Sequence, residues 1–539
     1  TASVDIAINR ASLEMGEYIL PLSIAQKLRP WIIIAFVLVF QFSGGVYLAA
    51  VSEMVGSTAL MQEDIMMAGY ASMVGMGLTF AIMFRLKFRF PTKVTFFVCG
   101  IAIILANLIC MYTQSIPVLV VTCFFAGIFR MWATFECNST IQLWLTPTRD
   151  LSIFFSYIYL LVQGCIQFSG LITIYTAFWS KWEYMHWLII GLIGLVMLAS
   201  VILFRNYRSM PKLPLYGIDW LGAAMWGSTL LCVIFVCVYG EHYDWFDSTP
   251  IRMASIAALV ILALNLWRAS FIRHPFIAIQ TWRYKAVYIT FLLYIVVDTL
   301  LAPSHLFEHI YMETILGYDS TNLISLNWVA LSGIILGSVF TYYVFALRKW
   351  KYKTMTVIAF SAITGYLMYF YFRIDYDLPK EALALPIFLR SFGYVIIAIC
   401  FLTALSRVPF QHFFEAVSVQ AFVSAGFGSV LGTAILGRAL NVVMKKNAIL
   451  LSANLDHVNP VIGYIPQGAL YGALQQQALM VTMKELYGWL TIIELSCLLL
   501  FMIKESDIRP RYAWHPRYRV IRRYIKHELR ARMRFRNSA

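Results

Sequence analysis

Five ionisable residues lie inside stretches that are otherwise apolar. Arg130 and Glu136 fall in or beside CFFAGIFRMWATFEC (123–137), Asp298 in FLLYIVVDTLL (291–301), Arg390 in ALPIFLRSFG (384–393) and Glu494 in LTIIELSCLLL (490–500). A charge at the centre of a bilayer costs about 2.5–3.5 kcal/mol on insertion scales, so such residues mark function or tight pairing. A carboxylate in low dielectric is shifted towards its neutral form and can exchange protons near neutral pH. A guanidinium can hold an anionic group. The competing reading is structural: acids and bases pairing to hold helices together.

Spacing narrows the choices. Arg130 and Glu136 are six residues apart, about 240° around a helix. Pairing along one face needs three or four, so each must find its partner on another element. Asp298 and Arg390 each lie five or six residues from the expected outer ends of their runs, at a matching depth of about 8–9 Å. They are expected to touch, or to be bridged by substrate. HLFEH (305–309) matches the H-x-x-E-H zinc pattern. No third ligand or soluble catalytic domain accompanies it, so it reads as a loop, with a pH-sensitive role for His305 or His309 at the outer mouth as a lesser alternative. Glu53, Glu63 and Asp64 read as solvated loop charges.

The elements that position these residues are membrane-spanning helices. The chain is 60% hydrophobic and 13% charged, with a mean hydropathy of +0.73. Soluble domains are about 45–50% apolar and a quarter charged. Apolar runs of about 20 residues recur, each long enough for some 30 Å of hydrocarbon. Fourteen spans are predicted: 31–50, 65–84, 94–113, 117–144, 152–177, 186–204, 218–240, 251–268, 286–303, 324–346, 355–373, 384–405, 413–437 and 486–503. The nine cysteines are scattered through apolar runs without metal-ligand spacing and read as small buried hydrophobes.

Charge orients the spans. With the N-terminus in the cytoplasm and basic residues at span edges counted with the adjoining loop, 32 of the 42 Lys and Arg fall on that side, 8 on the other and 2 deep within spans, as the positive-inside rule expects. Both termini are then cytoplasmic, and the net charge of +15 reflects topology rather than nucleic-acid binding. Residues 438–485 are expected outside, with GALQQQALMVTMKELYG helical by pattern. Residues 504–539 form a basic tail suited to anionic headgroups.

Three stretches resemble the fourteen-span drug:proton antiporter branch of the major facilitator superfamily, the EmrB/QacA type: FWSKWEYMHWLIIG (178–191), GIDWLGAAMWG (217–227, with Asp219) and RHPFIAIQTWRYKAVY (273–288). ETILGYDS (313–320) and GSVLGTAILG (428–437, with Gly428 and Gly432) add to it. The resemblance implies an all-α polytopic fold: a cytoplasmic segment 1–30, a six-helix half 31–204, two extra helices 205–272, a second half 273–503 carrying the periplasmic loop 438–485, and the tail 504–539. Spans 1, 4, 9 and 12 would line a central cavity. It also implies alternating access in a bacterial-type inner membrane, without a cofactor or metal. A periplasmic adaptor and an outer-membrane channel would be partners, docking on 438–485.

The chain departs from the family pattern where coupling is expected. Gln41 stands where an acid is usual in span 1, and Cys123, before Gly127, where span 4 usually has Arg. Arg130, seven residues on, shares that face two turns deeper. The loop FRLKFRFPTK keeps Arg85, Arg89 and Lys93 as gating residues but has Phe88 for Asp, and Gly164-Cys165 replaces a Gly-Pro pair. Gln41, Arg130, Glu136, Asp298, Arg390 and Glu494 are therefore the candidate substrate and proton-coupling residues. The expected function is proton-coupled export of amphipathic or lipophilic small molecules. The alternatives are a differently coupled transporter with a dedicated, lipid-like substrate, and a non-transporting scaffold.

Overall fold

A chain in hydrocarbon must satisfy its own backbone, and consecutive helices do so segment by segment. The computed structural model describes residues 28–44, 47, 51, 54–55, 60–146, 150–204, 213–453, 455 and 466–503. Over these it is helical without strands. The helices are α1 Arg29–Phe42, α2 Gln62–Arg89, α3 Thr92–Tyr112, α4 Ile116–Leu145, α5 Leu151–Trp179, α6 Tyr184–Leu203, α7 Trp220–Tyr239 and α8 Thr249–Phe271. They continue as α9 Lys285–Ile315, α10 Ser320–Leu347, α11 Tyr352–Arg373, α12 Lys380–Leu405, α13 Phe410–Ser452 and α14 Gln467–Ile503. All but α1 are long and apolar enough to cross a membrane. The expected segments 1–27, 205–212 and 504–539 lie outside the described residues, as does Glu53.

Local sequence sets the boundaries. Pro117 and Pro250 occupy first-turn positions of α4 and α8, where a missing N–H costs nothing. Asp150 caps α5 through the Ser152 amide (3.0 Å), and Asp219 caps α7 through the Gly222 amide (3.0 Å).

Packing defines two groups of six. In the first, α1 packs on α4, α5 and α6, while α3 packs on α4 and α6. The α2–α4 crossing is close: a Cβ on Gly127 would lie 2.0 Å from the Ser72 carbonyl oxygen, and one on Gly75 2.1 Å from that of Phe124. In the second, α9 packs on α12 and α13, and α11 on α12 and α14. The groups meet where α5 packs on α10 and α2 on α13. The extra pair α7–α8 attaches through α7, which packs on both α2 and α13.

Two boundaries differ from expectation. Pro303 reads as the end of span 9, but a tight three-residue turn (Ala302–Ser304) absorbs it and helix resumes at Phe307. Residues 438–485, expected as a non-membrane segment with GALQQQALMVTMKELYG helical, are helix from Gln467 as that pattern implies, but also continue as helix from α13 through Ser452. At 1.5 Å per residue α13, with 43 residues, is about 64 Å long, far more than about 30 Å of hydrocarbon. It also carries a wide turn at Phe422–Phe427, where Gly426 leaves helical geometry (φ −112°, ψ −107°).

Candidate functional site

The basic loops 85–93 and 348–353 mark one end of the bundle, here the basic end. There Glu136 of α4 meets Lys87 of α2 at 3.3 Å and accepts the Thr92 hydroxyl at 2.6 Å. Lys87 also donates to the Ser139 hydroxyl. The expectation of a partner on another helix holds for Glu136. Lys87 was the missed residue, although it sits between two chosen ones, Arg85 and Arg89.

The three gating candidates stay on their own side of the molecule. The Arg85 guanidinium lies over Gly217, where a Cβ would be 2.1 Å from its Nη1. Arg89 is half-buried in the last turn of α2, and Lys93 donates to the Val201 carbonyl at 2.7 Å. Both basic groups oppose a C-terminal helix dipole. The bridges between halves at this end are others. Phe84 packs on Phe410 and Phe414 at 5.1 and 5.4 Å, Ser418 donates to the Gly77 carbonyl at 2.6 Å, and Lys349 pairs with Asp150. Nothing in the spacing of these residues announces them, because each contact joins segments over 190 residues apart.

Arg130 is buried midway along α4. Its guanidinium presses on the α1 end, so that a Cβ on Gly44 would lie 0.9 Å from Nη1, and its Nη2 approaches the Met76 sulfur at 3.5 Å. Among the described residues no carboxylate pairs with it. Gln41 donates to the Thr134 hydroxyl at 3.0 Å, and that hydroxyl donates to the Arg130 carbonyl at 2.8 Å. Gln41 and Arg130 therefore share one α1–α4 contact.

The second half corrects the main pairing. Arg390 does not meet Asp298. Its Nη1 contacts both oxygens of Glu308 at 2.9 and 2.8 Å. The physical reason is the boundary at Pro303. With α9 running to Ile315, Asp298 sits near mid-helix and Glu308 reaches the depth assigned to Asp298. Glu308 therefore belongs to an ion pair rather than to a zinc motif, and His309 turns to Glu313 at 3.0 Å. Asp64 is corrected too. It is buried, accepting the Tyr239 hydroxyl and the Met61 amide at 3.0 Å, and so fastens α7 to α2.

Asp298 is 6% exposed. Among the described residues no cation faces it, and its Oδ2 has no hydrogen-bond partner. That oxygen lies against α13, where a Cβ on Gly428 would be 2.3 Å away. A Cβ on Gly432, one turn on, would meet Ala302 Cβ at 2.9 Å. Tyr294 of α9, Tyr394 of α12 and Tyr159 of α5 lie within electrostatic reach of the carboxylate. Tyr159 comes from the other half, so this group sits where the halves meet. Glu494 is fully buried between α14 and α11, accepting weakly from Thr364 at 3.5 Å, away from that junction. Gly164 faces only Leu331, 3.6 Å from a Cβ, which is ordinary contact.

Asp219 is structural. Arg268 of α8 holds both its oxygens at 2.8 and 2.7 Å, and the Phe276 amide donates at 3.2 Å. Burial pushes its carboxyl up, but Arg268 and the two amides outweigh that and hold it below the usual carboxylate range.

Packed this way, two six-helix groups with a seventh and eighth helix attached through α7 form the major facilitator fold. The chain is similar to an auto-inhibited POT family peptide transporter (13% identity, TM-score 0.53, covering 89% of this chain and 99% of that one). It is likewise similar to the nucleoside transporter NupG (11%, TM-score 0.52, 86% and 98%). A third similar structure is the major facilitator superfamily proton:xylose symporter XylE (11%, TM-score 0.50, 90% and 96%). No protein-family model matches the sequence, and no relative is found among curated proteins.

Proposed function

We propose that this protein is a secondary transporter that exports amphipathic or lipophilic small molecules across a bacterial-type inner membrane, with both termini cytoplasmic. Substrate leaves as protons enter through Asp298. The observation that carries this reading is the isolation of that carboxylate. An ionised carboxylate without a cation or hydrogen bond is costly in an apolar interior. Taking up a proton removes the cost, and releasing it favours any motion that brings water or a cation to the site. Asp298 lies against α13 and beside Tyr159 of the first half, so such a motion separates the halves. The contacts Phe84–Phe410 and Asp150–Lys349 then open and close the basic end, in the rocking motion of alternating access. Similarity of fold to a peptide transporter, a nucleoside transporter and a proton:xylose symporter supports the class. The ends of α13 and α14 beyond the apolar thickness are the proposed dock for a periplasmic adaptor leading to an outer-membrane channel, with Ile449 and Tyr471 exposed there.

The second reading, a dedicated substrate moved without protons, draws on Gln41. Where the resemblance expects an acid, the chain has an amide tied to Thr134. Proteoliposomes separate the two. An imposed pH gradient should drive flux of a lipophilic dye, and a protonophore should stop it. Flux indifferent to the gradient establishes the second reading.

A further inference from the structure

Two cysteines whose spacing suggests no pairing in sequence are brought together by the α3–α4 hairpin. Cys110 lies in the last turn of α3 and Cys123 two turns into α4. Their sulfurs are 3.8 Å apart, and both side chains are buried. All nine cysteines are described, and this is the one pair in sulfur–sulfur contact. Cys99 and Cys137 are also buried in the same half but make no such contact.

Three further observations set the pair apart from ordinary buried thiols. First, Cys110 lines a recess with Tyr47, Leu60, Thr113, Gln114 and Glu183. Thr113 and Gln114 belong to the α3–α4 turn, so the recess lies towards the end opposite the basic loops. Second, the Tyr47 hydroxyl, from the chain following α1, is buried against both thiols and within hydrogen-bonding reach of Cys110. Third, among the described residues no group of three His, Cys, Asp or Glu gathers that could hold a metal. Two sulfurs without a third ligand suit a bond between themselves better than a metal centre.

We propose that Cys110 and Cys123 form a reversible redox pair, oxidised to an intramolecular disulfide by a small disulfide entering through this recess. The exchange balances in two steps. The Cys110 thiolate attacks the small disulfide, giving a mixed disulfide and releasing one small thiol. The Cys123 thiolate then attacks the Cys110 sulfur and releases the second. The protein loses two hydrogens and two electrons, and the small disulfide is reduced to two thiols. The sulfurs close from 3.8 Å to about 2.05 Å, a movement within reach of side-chain rotation and a slight helix shift. The bond pins α3 to α4 where Tyr47 also packs. Helix α4 also carries the Gln41–Thr134 and Gly44–Arg130 contacts with the α1 end further in, so oxidation stiffens that half near one mouth.

The test uses the full-length protein in detergent and dipyridyl disulfide, whose released thiopyridone is counted by absorbance. In the wild type, intact-mass and peptide analysis should show 110 and 123 joined without a pyridyl adduct on either, two thiones being released for that pair. In Cys110→Ser and in Cys123→Ser no crosslinked peptide should form. Thermal denaturation should shift upward with oxidant in the wild type and stay unshifted in both variants. A stable pyridyl adduct on Cys110 or Cys123 in the wild type overturns the proposal. So does recovery of both as free thiols after treatment, or crosslinking of Cys99 to Cys137 in preference to them.

Discussion

Helix α9 carries two buried carboxylates ten residues apart, and they live in opposite circumstances. Glu308 faces a guanidinium that contacts both its oxygens. Asp298, about 15 Å back along the helix, faces a glycine and three tyrosines and, among the described residues, no cation. The first arrangement fixes a charge in place and holds α9 to α12. The second leaves a charge uncompensated among the described residues, and the proposed proton role rests on that. Position inside a membrane is thus not enough to assign a role to an acid; its partner decides.

The sharpest way to break this comparison is to remove the partner. Arg390→Ala leaves Glu308 buried and alone, and should destabilise the protein by about 3–5 kcal/mol in detergent unfolding. The double change Glu308→Leu with Arg390→Met should recover most of the loss. A mild single mutant would mean the pair is not structural. Next in size is Gly428→Ala. Its Cβ would sit 2.3 Å from the Asp298 carboxylate, and overpacking of this kind costs about 1–3 kcal/mol. Gly164→Ala, with its nearest neighbour at 3.6 Å, is the control and should be close to neutral. Asp298→Asn itself should change stability by no more than about 1 kcal/mol, the scale of one ordinary hydrogen bond, because no ion pair is lost.

The smallest effect concerns Asp219, a third acid, paired like Glu308 but at a helix end. Its carboxyl is held below the usual range in the folded protein. Its contribution is therefore fully present above the ordinary carboxylate range and is lost as pH falls through the lowered value. Melting curves against pH should show an acid-side decline that is shallower in Asp219→Asn. Parallel curves would remove Asp219 from the account.

The spans were largely legible because each must be a run of about 20 apolar residues, and composition alone reveals that. The depth of an acid within its span was less so. Pro303 argues for a helix end, yet a three-residue turn carries the chain past it, and that shift exchanged Glu308 for Asp298 as the partner of Arg390. Asp64 looked solvated because its partner, Tyr239, is 175 residues away. The Cys110–Cys123 contact was hidden for a different reason: thirteen residues across a helical hairpin match no metal or redox spacing. Counting did place Gln41 in α1, and the structure seats it on Thr134.

The central claim is that Asp298 carries the proton while Glu308 does not. It is tested most directly in proteoliposomes with a trapped pH-sensitive dye, by adding a transported substrate and following proton movement. The account predicts substrate-coupled proton flux in the wild type and its loss in Asp298→Asn, with the purified variant melting as the wild type does. Undiminished proton flux in a folded Asp298→Asn protein would contradict it.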